Sequence, residues 1–509
     1  MNSMSRRTFV QGGTAAALGM GLGLKYGGAA RASVATPEIS TPERAALEDL
    51  CKQLNGTLML PGDSGYAAAS APANGRYLTI LPAAVARCSD EADVATCIKW
   101  CNQNNVPPVA RGGGHSYAGF STTQGLLVDI RRLNSVQVDK KQGTVVCGGG
   151  SLNNDFFIAT EDGPLFLPGG TCLGVGMGGL TLGGGIGYNA HWAGLSCDHL
   201  QASRIVTASG DTLDISPSSN SDLFWACQGG AGGNFGINTT FTFNLVEVPQ
   251  ANIAWYKFTW RGADAAAGVF SAFQQILAKA PDALNAVAMA EAAEVGSGGP
   301  REAINVMSRG QYIGPLAELK DLIAPLLAVA PPATQELSEM PFWVAQRMIA
   351  SGEPDPHSFG DLSRYEKDLL PESAITALVD LIANCPSRSA NANGGIWSLG
   401  WVGGVVSKYG RTDTAYVHRD SMTLMRPTTV WPNGGPASVG DGLNAWTDQV
   451  IATITPYTLD ESYQNFPNTA IKNHGQQYYA ENLDRLIDVK TKYDQHNLFN
   501  NPQSIPTRS

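Results

Sequence analysis

Twenty of the chain's 58 glycines fall between Gly112 and Gly187. Glycine this concentrated is either flexible linker or backbone wrapped closely around something. Linkers are polar and featureless. Here the glycines are interleaved with strand-like runs: "LLVDI" at 126–130, and "VQVDKKQGTVVC" at 136–147, which reads as a hairpin around 140–143. Wrapped backbone is therefore favoured. Within the stretch, "RGGGHSYAGFS" (111–121) sets three glycines before His115, and "GGTCLGVGMGGLTLGGGIG" (169–187) encloses Cys172. Loops without Cβ atoms turn tightly and can bring N–H groups against phosphate oxygens. The pattern is neither a Walker loop nor a clean dinucleotide fingerprint. Two wraps, one carrying an imidazole and one a thiol, suit a large flat anionic cofactor held covalently at two points. A metal site is the competing reading, with His115 and Cys172 joined by His191, Cys197 and His199. "HWAGLSCDH" (191–199) lacks the paired spacing of a zinc site, and a metal does not need so much glycine. No metal is expected.

The surrounding pattern predicts an α+β domain. Val94, Cys97, Ile98 and Cys101 recur at helical spacing behind a cap at Ser89, with Asp90 and Glu91 in the first turn. Extended "VPPVA" (106–110) follows, then the glycine loop, then strand. Further strands are expected at "RIVTA" (204–208), "DTLDI" (211–215) and "INTTFTFNLVEV" (237–248). Near Val248 the glycine loops thin out. Helical "AGVFSAFQQILAKA" (267–280) and strand-like "TTVW" (428–431) then read as a second domain. The end of the chain reads as a helix with Leu483, Leu486 and Ile487 on one face, stopping near His496. With 509 residues, two or three domains are expected, and 43% hydrophobic content allows large cores. The net charge of −10 argues against nucleic acid as a partner.

At the N-terminus, "SRRTFVQGG" (5–13) holds paired arginines before the apolar run Ala15 to Leu24, and "ARA" (30–32) offers a cleavage site. The run is too short to span a bilayer. Paired arginines in this position resemble a bacterial twin-arginine export signal. That implies the export machinery as a partner and a periplasmic or secreted location. Nine cysteines in an exported chain permit disulfides, and Cys51 with Cys101 is a candidate pair.

Five stretches in this order resemble the berberine bridge enzyme-like oxidoreductases, of the vanillyl-alcohol oxidase class of FAD proteins. They are the two glycine wraps, "GLSCDHL" (194–200), "GGNFGI" (232–237) and "YYAENLDRLIDVKTKYDQHNLFNNPQSI" (478–505). The resemblance implies a PCMH-type FAD-binding domain of two α+β subdomains over residues 33–247. A substrate domain with a large antiparallel sheet covered by helices is inserted over 248–462, and a closing segment spans 463–509, all behind a signal at 1–32. It implies FAD bound bicovalently, with His115 on the flavin 8α-methyl and Cys172 on C6. Cofactor contacts are implied at Arg111, Gly112, Gly113, Gly114 and Ser116, where loop N–H groups meet the pyrophosphate. Others fall at Gly170, Thr171, Val175, Gly176, Gly179, Gly184, Gly185, Asp198, Gly236, Ile237 and Asn465.

Three further positions speak to the reaction by the same resemblance. Val175, three residues after the cysteine, stands where the family controls oxygen access, and valine resembles the oxidases. Tyr463, in "SYQNF" (462–466), matches a Tyr-x-Asn-aromatic motif whose tyrosine is the base in relatives oxidising alcohols or sugars. Tyr117 matches a tyrosine lining the active site. Two positions depart from the pattern. Ile186 stands where several alcohol-oxidising relatives have tyrosine. Arg426 falls roughly where relatives have glutamine or glutamate, and an arginine there would favour an anionic substrate group or stabilise a tyrosinate. The expected reaction is oxidation of a small-molecule alcohol or hemiacetal with O2 as acceptor. A dehydrogenase passing electrons to a quinone or cytochrome, and a flavin-loaded binding protein with little turnover, are the alternatives. Trp255, Trp260, Trp343, Trp397 and Trp401 are candidates for stacking on a sugar.

Overall fold

The computed structural model describes residues 42–350 and 357–508. The export-signal expectation at 1–32 lies outside the described residues. Strand Ala84–Arg87 leads into helix Glu91–Asn104, which returns the chain to strand Pro108–Arg111. Strand Leu126–Asp129 pairs parallel to both strands and lies between them, and Thr57–Met59 adds antiparallel at one edge. The helix caps on Asp90, whose side chain accepts the Asp93 N–H, one residue later than expected. Val94, Cys97, Ile98 and Cys101 are fully buried on its inner face. The triple-glycine loop therefore leaves the carboxyl end of a strand, where ligands of such sheets gather.

A second sheet is antiparallel, in the order Val136–Asp139, Thr144–Gly148, Ile237–Asn244, Leu200–Val206, Thr212–Ile215. The expected hairpin joins its first two strands, paired from Val136 with Cys147 to Asp139 with Thr144.

The third sheet is the largest. Its order is Thr334–Met340, Ile253–Arg261, Ile304–Tyr312, Leu284–Ala292, Asn393–Gly400, Thr423–Pro432, His357–Asp361, all antiparallel, and Arg364–Glu366 also pairs with Thr423–Pro432. Side chains alternate between two faces. Ala254, Tyr256, Phe258 and Trp260 pack against helices Ala263–Leu277, Leu316–Val329 and Glu372–Ala383. Ile253, Trp255, Val287, Leu399 and Leu424 point the other way, into a cluster with Tyr188, Leu195, Tyr416 and Tyr463. That second face is the floor on which the candidate site rests. No described helix is long and apolar enough to cross a membrane.

Several sequence expectations need correction. No disulfide forms among the described residues: Cys51 is exposed and Cys101 fully buried, so this candidate pair does not form. Trp260 belongs to the helix-covered core, with its Nε1–H on the Ala330 carbonyl, so it cannot stack on a ligand at the other face. The terminal helix is not continuous. It breaks at Ala480, whose φ is +41°, resumes over Leu483–Tyr493, and stops before His496. Asp494 ends it by accepting the N–H groups of Leu498 and Phe499.

One buried carboxyl predicts a pH effect on stability. Glu366 is 2% exposed, and its Oε1 has no partner. Burial pushes its pKa up to about 8 from an ordinary 4.5. The folded protein then holds a proton that the unfolded chain releases, so this group's contribution falls as pH rises from about 4.5 to 8. Glu366→Gln removes that loss. Thermal melts at pH 5 and pH 8 are expected to show the variant gaining a few degrees on wild type at the higher pH. An equal difference at both pH values would contradict the assignment.

Candidate active site

The two glycine wraps meet backbone to backbone. A Cβ at Gly113 would lie 2.3 Å from the Gly176 nitrogen, and one at Gly176 would lie 2.4 Å from the Gly113 nitrogen. Only glycine permits this approach. The Cys172 wrap is pinned onto the first turn of helix Asn153–Thr160. Asn153 N–H donates to the Val175 carbonyl at 2.9 Å, Asn154 N–H to Leu173, and Asn153 Nδ2 to Cys172 at 2.8 Å.

Between the wraps and the closing segment lies a cleft of about 1910 Å³, open mouth included. Gly112, Gly113, Gly114, His115, Ser116 and Tyr117 line it on one side, and Gly170, Thr171, Cys172, Val175, Gly176 and Gly179 on another. Gly236, Ile237, Ile186, Trp401, Arg426, Tyr463 and Asn465 complete the set of sequence-derived candidates on its walls.

Four expected contacts do not line the cleft. Arg111 is buried beneath the loop, donating from Nε to the Ser121 carbonyl and from its Nη atoms to Ala69 and Ser70. It ties the loop ends together. Asp198 forms a buried ion pair with Arg419 at 2.7 Å. Gly184 abuts the Tyr416 ring, and Gly185 turns its N–H to Tyr463. The alternative metal ligands are dispersed in function: His191 Nδ1 contacts the Asp282 carbonyl and His199 Nε2 the Ala193 carbonyl. Among the described residues no group of three or more His, Cys, Asp or Glu is arranged to hold a metal.

Tyr463 is the most unusual side chain in the cleft. Its phenol oxygen accepts three hydrogen bonds: from Ile186 N–H at 3.1 Å, Gly185 N–H at 3.2 Å and Asn465 Nδ2 at 3.0 Å. Asn465 is itself fixed by the Leu180 carbonyl. Three donors converging on one oxygen are the arrangement that favours an anion. Burial nevertheless pushes the pKa up to about 12, with the three donors opposing it. Desolvation therefore outweighs the donors, and the group that the resemblance makes a base is held above its ordinary value.

Arg426 does not serve Tyr463. Its Nε donates to Asp361 Oδ2 at 2.7 Å and its Nη2 to the Tyr117 hydroxyl at 2.9 Å. The guanidinium lies 4.4 Å from the Phe466 ring centroid, a cation–π contact. Burial works against its charge, and Asp361 holds it. Burial also drives the Tyr117 pKa upward, with Arg426 opposing.

Asp361 was not foreseen, and Phe466 was foreseen only as the aromatic of its motif. Asp361 has no motif, since only the pairing of strands His357–Asp361 and Thr423–Pro432 brings it to Arg426. The run 231–234, which lines the far wall with Tyr478, Tyr479 and Gln503, was signalled by its glycines but not assigned.

A family model described as "FAD binding domain" matches residues 82–216, and one described as "Berberine and berberine like" matches 462–506. FAD-linked oxidoreductase YgaK of Bacillus subtilis (strain 168) is 31% identical over 460 residues, covering 89% of this chain and 97% of that protein. The chain is a berberine bridge enzyme-like FAD-linked oxidoreductase. Among other members, the chitooligosaccharide oxidase of Gibberella zeae is 29% identical, over 85% of this chain and 89% of that one. Wild-type BBE-like 1 of Physcomitrella patens matches in structure with a TM-score of 0.79 at 25% identity, covering 91% of this chain and 99% of that one.

The cleft of this berberine bridge enzyme-like protein fits FAD on its own evidence. Gly179 has nothing within 4 Å of where a Cβ would stand, and a side chain there would enter the cleft. Backbone from Gly112 to Gly114 faces the same space, bare of side chains.

Proposed function

We propose that this protein is an exported FAD-dependent oxidase that takes a hydride from an alcohol or hemiacetal carbon and delivers the electrons to O2, forming hydrogen peroxide. The observation that carries the reading is the Tyr463 oxygen in the cleft with three N–H donors converging on it. FAD would supply the hydride acceptor.

The chain's own residues have distinct tasks in this reading. N–H groups of 112–116 bind the pyrophosphate, and His115 and Cys172 attach the flavin at two points. Tyr463, as phenolate, takes the substrate hydroxyl proton as the carbon loses its hydride. Ile186, Gly185 and Asn465 stabilise the phenolate before the transfer and orient it afterwards. Arg426 and Asp361 hold the Tyr117 ring beside the wrap. The relatives that carry oligosaccharide oxidase names support a carbohydrate as substrate. The paired arginines at 6–7 support export by the twin-arginine route.

The test is a panel of sugars and alcohols with O2 uptake and peroxide followed together. One peroxide per substrate is expected. Flavin that no panel member reduces under argon would sink the oxidase reading in favour of a flavin-loaded binder.

Val175 lines the cleft three residues from Cys172. Its substitution by leucine adds one methylene where oxygen would reach the flavin. Val175→Leu is expected to slow reoxidation in air by at least tenfold while leaving anaerobic reduction near wild type. Equal reoxidation rates would remove Val175 from the oxygen path.

A further inference from the structure

Behind Tyr463 lies a buried histidine that the reaction above leaves unused. His418 belongs to the buried run 415–419, ahead of strand Thr423–Pro432, and is 0% exposed. Both of its ring nitrogens are engaged. Nδ1 meets Glu461 Oε2 at 2.7 Å, and Nε2 meets Gln464 Oε1 at 3.1 Å. The ring stacks on Tyr365, with centroids 4.2 Å apart and planes 17° from parallel. Its two polar partners stand on either side of Tyr463 in the chain.

The hydrogen bonds around this ring fix its protons. Gln464 Nε2 donates to the Gly229 carbonyl at 2.7 Å, so the amide is oriented and its oxygen is what faces His418. On the other side, Glu461 Oε1 accepts from Arg411 Nη2 at 2.7 Å, which leaves Oε2 for His418. Burial works against the Glu461 charge, yet its bonds to His418 and Arg411 hold the carboxyl below its ordinary range. Both neighbours of the histidine are therefore acceptors. A neutral imidazole has one N–H and one lone pair, and in either tautomer the lone pair would face an oxygen. Only the imidazolium satisfies both contacts. Glu461 meets its charge directly, as a buried charge requires.

What Tyr463 needs from its surroundings is position. Residues 461–466 form neither helix nor strand. The Tyr463 oxygen must nonetheless meet the N–H groups of Gly185 and Ile186, from a distant part of the chain. Tyr463 N–H donates to Ser363 Oγ at 3.0 Å, which ties down the backbone. His418 grips a side chain on each flank, and one of these, Gln464, lines the cleft.

We propose that His418, as an imidazolium, is a positioning residue for Tyr463: by clamping Glu461 and Gln464 it keeps the phenol oxygen in register with its three donors. The role given to Tyr463 rests on the oxidase reading, while the protons on His418 do not.

The first test is ring-nitrogen NMR of the FAD-loaded protein labelled at histidine, with the His418 signals assigned by their loss in the variants below. Both nitrogens are expected to carry protons at pH 7. One unprotonated nitrogen overturns the clamp. The second test is a double-variant cycle on anaerobic flavin reduction. His418→Phe keeps a ring on Tyr365 and removes both donors. It should lower the reduction rate roughly 10- to 100-fold, the cost of a displaced reacting group, and leave reoxidation in air at the wild-type rate. In a Tyr463→Phe background the same change should cost less than about twofold, since a residue that acts through Tyr463 has nothing left to position. An equal loss in both backgrounds overturns the proposal, and so does a wild-type reduction rate in His418→Phe. His418→Gln keeps one donor and should fall between wild type and His418→Phe. It carries the cycle if His418→Phe does not fold. Flavin that no sugar or alcohol reduces in wild type sinks the oxidase reading, and the nitrogen signals then decide the clamp alone.

Discussion

Tyr463→Phe is expected to lower the rate of anaerobic flavin reduction roughly 10²–10⁴-fold, the range a positioned general base contributes. The ring stays, with its edge-on contact to Phe466 at 5.0 Å, so packing survives. What goes is the oxygen on which Gly185, Ile186 and Asn465 converge. In the proposed reaction flavin attachment and reoxidation use other residues, and both should be unchanged. A loss below about fivefold would pass the proton to another group. The pH profile separates this from a packing defect. A protonated phenol cannot accept a proton, and burial pushes this one up to about 12. The wild-type reduction rate should therefore climb about tenfold per pH unit between pH 6 and 9, and the variant's should not. A wild-type plateau near neutral pH would mean that the base titrates lower than its burial requires.

The second large effect concerns the cofactor bonds. Acid-precipitated wild type should stay yellow and carry one FAD per chain. His115→Ala and Cys172→Ala should each retain flavin in the precipitate, because the other wall of the cleft still holds it. The double variant should release all of it to the supernatant. The two residues lie on separate loops that meet through Gly113 and Gly176, so either attachment keeps its own scaffold. Colourless wild-type precipitate would remove both bonds at once, and would leave noncovalent FAD.

How much of this was legible in the sequence depends on how local each feature is. The glycine wraps were readable because close backbone approach forces one residue type, and Gly113 and Gly176 do meet. Val94, Cys97, Ile98 and Cys101 were readable because a helix repeats its buried face locally. Tyr463 and its donor Asn465 were found through a motif, but its other two donors come from residues 185 and 186, on the far side of the whole sheet domain in the chain. The direction of its pKa shift could not be read there, since burial is a property of the assembled fold. Arg426 was identified while its partner was not. Asp361 and Arg426 meet only through strand pairing, and neither residue's neighbourhood announces the other. That Arg111, Gly184, Gly185 and Asp198 stand behind the cleft wall was hidden for a related reason. Those residues build the loops that carry the contacts, and sequence proximity does not distinguish the two roles.

The most direct test of the oxidase account is one double-mixing experiment on the wild-type protein. Under argon, a substrate drawn from the sugar and alcohol panel bleaches the flavin, and the reduced protein is then mixed with aerated buffer while absorbance and peroxide are recorded. The account predicts recovery of the oxidised spectrum within seconds, with one hydrogen peroxide formed for each flavin. Reoxidation that takes many minutes, while a quinone restores the spectrum at once, would contradict it and make this protein a dehydrogenase.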